Sequence, residues 1–232
     1  MRVMLSNLEY FDLADARGGE TVKGGDQDWY GSWWRRMSGC GPTTATNVIL
    51  YLTNARARAP EAGDAATPGA AGAAGQSAAP AKNRAPEIRE KEEFIRLMNR
   101  VWKYVTPGRG GVNSTAKLRR GIAGYAAAEG LRLRTEAMDI ADARAERPPL
   151  AHVAAFIQGG LARDLPVAFL NLHNGLELQL EKWHWVTITG LACEADGAVR
   201  VEILDNCNLL DVNLGRWLSS AARGGGFVRF SE

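Results

Sequence analysis

The residues that could do chemistry begin with Gly39-Cys40-Gly41-Pro42-Thr43-Thr44. Two glycines around a cysteine permit tight backbone and leave the sulfur accessible. Pro42 suits a first helical turn, where its missing N–H costs nothing. Cys40 is therefore expected at a helix N-terminus, where unpaired amides and the macrodipole favour negative charge, the form in which sulfur attacks a carbonyl. The same amides can donate to an oxyanion formed beside the sulfur. A buried structural cysteine in a Gly-Pro turn is the alternative.

A thiol nucleophile needs a base, and three histidines are present: His152, His173 and His184. His152 falls in a helical pattern out of phase with its apolar face and reads as solvated. His173 precedes Asn174-Gly175, a turn. His184 lies in Trp183-His184-Trp185-Val186-Thr187-Ile188-Thr189-Gly190, a strand otherwise apolar or β-branched. An imidazole there needs a partner, because burying it unpaired costs roughly 1–3 kcal/mol. Asp205 follows 21 residues later, about two strands and a hairpin. Adjacent antiparallel strands would bring it beside His184, where a carboxylate fixes the tautomer and stabilises the imidazolium. Asn206 could serve in its place, and a plain turn-forming role for Asp205 remains the alternative.

The elements that must position these residues follow from periodicity. Thr43 to Leu52 reads as a helix with Val48, Ile49 and Leu52 inward. Glu87 to Val105 places Phe94, Ile95, Met98, Val101, Trp102 and Val105 at helical spacing, ended by Pro107 and Gly108. Ser114 caps a helix carrying Leu118, Ile122 and Tyr125, with Gly130 in the C′ position. Leu131 to Ala137 alternates as a strand, and Pro149 opens a helix bearing Val153, Phe156, Ile157 and Leu161. Pro166 to Leu172, Trp183 to Leu191, Val199 to Leu204 and Phe227 to Phe230 read as strands, separated by turns at Gly175, Asp196-Gly197 and Gly224 to Gly226. Helices first and sheet afterwards predict an α+β fold, a helical N-terminal lobe packed on a C-terminal antiparallel sheet.

These motifs together resemble the papain-like cysteine peptidases: a cysteine at a helix start, then His184-Trp185-Val186 and Leu204-Asp205 on successive strands. The order Cys, His, Asp is most similar to the bacteriocin-leader-processing (double-glycine) branch and its free-standing bacterial relatives. The resemblance runs from about Gln27 to Asp205, with His184 144 positions after Cys40. It implies a papain-like fold and a Cys-His-Asp triad of Cys40, His184 and Asp205. In that family an upstream glutamine donates to the oxyanion, which implies Gln27, thirteen residues before Cys40. Trp29, Trp33 and Trp34 fill that gap and either pack the loop or wall a groove, packing being the expectation. The implied activity is a thiol hydrolase cleaving a peptide or amide bond in a peptide or protein substrate, through a thioester and with no metal or organic cofactor. An acyltransferase with the same residues, or an inactive peptidase-like binding protein, is the alternative.

Composition bounds the rest. The 232 residues suit one domain. The segment from Ala55 to Pro86 holds 14 Ala, 4 Gly and 4 Pro in 32 positions, without Val, Ile, Leu, Met or aromatic residues. It reads as a mobile surface insertion between two helices. A net charge of +2 gives no electrostatic case for nucleic acid as the main partner. No run of about 18 apolar residues exists to span a membrane. The first twenty residues, with Glu9, Asp12, Asp15 and Glu20, hold no signal-like apolar run, which predicts a cytoplasmic protein. Cys40, Cys193 and Cys207 exclude a disulfide scaffold and lack zinc-site spacing. Cys193 and Cys207 could pair under oxidising conditions, although free thiols are expected. Gly108 to Gly111 and Gly224 to Gly226 do not have the form of a phosphate loop.

Overall fold

The computed structural model describes residues 1–15, 18–59 and 86–231. In chain order the elements are β1 (Arg2–Met4), β2 (Asp12–Leu13), β3 (Val22–Lys23), α1 (Trp33–Ser38), α2 (Cys40–Arg58), α3 (Lys91–Trp102), α4 (Thr115–Ala128), β4 (Arg134–Ile140), α5 (Leu150–Leu161), β5 (Val167–Asn171), β6 (His184–Cys193), β7 (Val199–Asp205), β8 (Asn208–Asn213), α6 (Leu214–Ser220) and β9 (Gly225–Ser231). A short 3₁₀ turn spans Gln27–Trp29.

The architecture is α+β. Six strands pair in the order β4-β9-β5-β6-β7-β8, and β1 adds a seventh by pairing with β6. Every pairing within this sheet is antiparallel. β5 flanks β6 from His184 to Ile188, and β1 takes over beside Gly190 to Ala192. The sheet is covered on both faces. Along β5, Ala168 and Leu170 pack with α2, α3 and α4, while Val167 and Phe169 pack with α5 and α6. Trp217 of α6 packs edge-on against Phe169 and Phe227 on the second face. The expected split into an N-terminal helical lobe and a C-terminal sheet is therefore corrected. β1 belongs to the sheet, and α5 and α6 cover the face opposite α2.

Helix α2 is the centre of the molecule. Every residue from Gly41 to Leu52 is buried, so the expected one-sided face of Val48, Ile49 and Leu52 is only part of what it buries. α2 also runs on through Arg58, so Ala55 to Arg58, expected in the insertion, are helical. Residues 60–85 of that insertion lie outside the described residues. α3 starts at Lys91 rather than Glu87, because the backbone of Ile88 is taken by Asn54 and that of Lys91 by Ala14. α4 ends as expected at Gly130, φ +64°, with Leu131 N–H bonded to Ala126 C=O. That cap uses Leu131, so the following strand is Arg134–Ile140 and not Leu131–Ala137. Gly225 and Gly226, read as turn, are the first residues of β9.

Candidate active site

Cys40 is the first residue of the 19-residue helix α2, entered from α1 through Gly39. The flanking glycines are set by packing. A Cβ at Gly39 would lie 2.6 Å from the Arg35 carbonyl oxygen and 2.8 Å from the Tyr30 ring, and one at Gly41 would lie 2.8 Å from Val112 Cβ. Their role is to let the helix start approach Tyr30 and Val112 closely, rather than to expose the sulfur. The thiol is half-buried, and the Trp183 carbonyl oxygen lies 3.9 Å from Sγ.

His184 opens β6 and Asp205 closes β7, so antiparallel pairing puts both at one end of the sheet. His184 Nε2 lies 2.7 Å from Asp205 Oδ1, with both side chains at most 10% exposed. Nδ1 is left for the sulfur. The exposed Glu181 carboxylate stays 3.9 Å from Nδ1, too far to hydrogen-bond it. Burial alone would lower the imidazole pKa, but hydrogen bonding to Asp205 and Cys40 outweighs it and pushes His184 up to about 10. Cys40, His184 and Asp205 wall one small cavity together with Gly25, Asn47 and Asn206. Asp205, not Asn206, takes the ring nitrogen. Asn206 Oδ1 instead accepts from the Gln27 backbone N–H at 3.2 Å.

Gln27 reaches this end of the molecule through that bond, but its side chain does not line the cavity. Its Oε1 is buried without a partner. Sequence reasoning missed two residues that matter here. Asn47, on α2 seven residues after Cys40, accepts from Gly25 N–H at 2.9 Å. Asn171, opposite His184 in the β5–β6 pairing, donates to Glu181 C=O and accepts from Trp217 Nε1–H, holding the loop that delivers Trp183 and His184. A buried asparagine inside an apolar run is the signal that would have flagged it.

Beside the thiol lies a groove of about 400 Å³, walled by Trp33, Trp34, Met37, Arg109, Gly111 and Trp183 among others. Trp33 is 68% exposed and Trp183 48%. The expectation that the tryptophans pack is thus corrected for Trp33 and Trp34, which wall the groove. Trp29 does pack, edge-on against Phe94. Trp183 has φ +58°, a left-handed backbone that a bulky residue adopts only at a cost.

His152 is exposed on α5, and His173 accepts from Gly175 N–H within its own turn. Neither joins the site. All three cysteines are free. Cys193 pairs with Val199 at the far end of the β6–β7 hairpin while Cys207 follows Asp205 at the near end, so they cannot bridge. Among the described residues no group of three His, Cys, Asp or Glu is placed to hold a metal ion, and no helix is long and apolar enough to cross a membrane. Comparison with protein families, with curated proteins and with solved structures finds no match to this chain.

Proposed function

We propose that this chain is a papain-like thiol hydrolase that cleaves a peptide or amide bond through a thioester on Cys40. One observation carries the reading: a helix-start thiol shares a cavity with an imidazole whose other nitrogen is held at 2.7 Å by a buried carboxylate. The raised His184 favours an imidazolium facing the sulfur, and an imidazolium favours thiolate. The sulfur attacks the carbonyl carbon, a C–S bond forms, and the π electrons move to oxygen. The Cys40 N–H at the helix start is one oxyanion donor in this reading, and the Gln27 amide, outside the small cavity but tethered beside it through Asn206, is the second. His184 gives its Nδ1 proton to the leaving amine as the C–N bond breaks. Water then attacks the thioester, His184 takes its proton, and sulfur leaves as thiolate. Asp205 accepts from Nε2–H throughout and holds the ring in place.

The test is acylation of the wild-type chain by the p-nitrophenyl ester of N-acetylphenylalanine, quenched in acid and read by intact and peptide mass spectrometry. One acyl group on Cys40 is expected. No adduct, or one on Cys193 or Cys207, ends the proposal.

The groove supplies binding for an apolar side chain next to the scissile bond. Truncating Trp34 to alanine removes an apolar contact of about 1–2 kcal/mol. KM for a phenylalanine-containing peptide should rise about tenfold with kcat within a factor of about two, the mark of lost uniform binding. Unchanged KM and kcat would show that Trp34 does not contact substrate.

His184 also links stability to pH. Its folded pKa lies above its ordinary 6.5, so its contribution is complete below that value and lost as pH rises through about 10. Urea unfolding of wild type and His184→Gln should differ most at about pH 6 and converge towards about pH 10. A constant difference would mean that His184 does not hold its proton in the folded chain.

A further inference from the structure

The β7–β8 hairpin turns on two residues, Asn206 and Cys207, with Asp205 paired to Asn208. Both central residues have positive φ, +43° and +66°. That is the signature of a type I′ turn, whose second position favours glycine. The cysteine and asparagine side chains have other uses here. Cys207 Sγ–H donates to the Gly24 carbonyl at 3.4 Å, and Asn206 Oδ1 accepts from Gln27 N–H at 3.2 Å. From the other side Asn47, 2% exposed, accepts from Gly25 N–H. The segment from Gly24 to Gln27 is thus held by side chains at three backbone groups, two of them from the turn that directly follows Asp205, while Gly24 N–H bonds the Phe11 carbonyl. Gly25, Asn47 and Asn206 wall the cavity that holds Cys40 and His184.

We infer that the Asn206–Cys207 turn is a positioning device, which locks the oxyanion arm from Gly24 to Gln27 onto the strand end carrying Asp205. The inference rests on the thiol-hydrolase reading and on Gln27 as oxyanion donor. Asn206 and Cys207 touch no reacting atom; they act through Gln27.

Two reactions of Cys40 separate this role from a general structural one. Acylation by N-acetylphenylalanine p-nitrophenyl ester forms a C–S bond and expels p-nitrophenolate through a tetrahedral oxyanion. Alkylation by iodoacetamide displaces iodide with no oxyanion. Asn206→Gly keeps a backbone that accepts positive φ and removes the acceptor for Gln27 N–H. It should slow acylation by about 10–100-fold, no more than outright loss of an oxyanion donor. Alkylation should stay within about twofold. In a Gln27→Ala background the same change should add less than about twofold, since the two act as a unit. Asn206→Asp, which keeps an acceptor oxygen and tolerates the left-handed backbone, should recover most of the acylation rate. Cys207→Gly relaxes the turn backbone and tests the Gly24 anchor should Asn206→Gly fold poorly; it too should slow acylation more than alkylation. Equal slowing of both reactions, or full additivity with Gln27→Ala, overturns this inference and leaves the hydrolase reading standing. A wild-type chain that alkylates at Cys40 but never acylates overturns both.

Discussion

Cys40→Ser is expected to abolish acyl transfer, by about 10⁴-fold or more, while the melting temperature moves little. The reason lies in how His184 is held. Asp205 and the sulfur push its pKa up to about 10, so near neutral pH it carries its proton. In the proposed reaction that proton faces a sulfur that attacks as thiolate, the form an imidazolium neighbour favours. A serine hydroxyl has no such pre-ionised form and needs a base to take its proton. A protonated His184 is not one. Losing the thiolate lowers His184 only partly, because Asp205 still holds Nε2 at 2.7 Å. Stability is spared because the thiol is half-buried and its Trp183 carbonyl contact, at 3.9 Å, is weak. Turnover of the phenylalanine ester, intact mass after acid quench and calorimetry together check this. Activity retained in the serine variant would remove Cys40 from the mechanism.

Much of this arrangement is legible in the sequence. A cysteine between glycines ahead of Pro42 marks a helix start, and a histidine in an otherwise apolar strand marks a residue that needs a partner. The separation of His184 from Asp205 fits the hairpin that pairs β6 with β7. What escaped reading did so for physical reasons. From Gly41 to Leu52 α2 is buried on all sides, so that stretch has no solvent-exposed face for periodicity to detect. Strand β8 follows an Asn-Cys turn instead of Asn-Gly, and its polar ends, Asn208 and Asn213, hide its pairing with β7. β1 pairs with a strand almost the whole chain away, which no local pattern encodes. The glycines around Cys40 were legible as glycines but not as the contact surface for Tyr30 and Val112. Trp33 and Trp34 have the composition of a core and the exposure of a groove wall, because α1 is too short to bury both. Asn47 and Asn206 act on the backbone of a distant segment, and only the folded chain shows which.

Asp205→Asn carries the second large effect. The carboxylate side chain is 10% exposed and accepts from His184 Nε2–H. Asparagine fills the same volume, so the strand end and its pairing with Asn208 should persist. Two things are lost. The negative charge that stabilises the imidazolium disappears, and the amide can turn its NH₂ to Nε2 and select the tautomer with a proton on Nδ1 alone. By analogy with other triads, kcat should fall by as much as about 10⁴-fold. KM should hold, because Asp205 is not part of the tryptophan groove. The pH response distinguishes this from simple damage. The hydrogen bond to Asp205 is the largest of the influences that raise His184 against burial, so removing it must lower the His184 pKa. NMR titration of the His184 ring should show the same downward displacement, with His152 and His173 unmoved. An asparagine variant that keeps its rate within about tenfold and titrates like wild type would make Asp205 a strand-end turn former and no more.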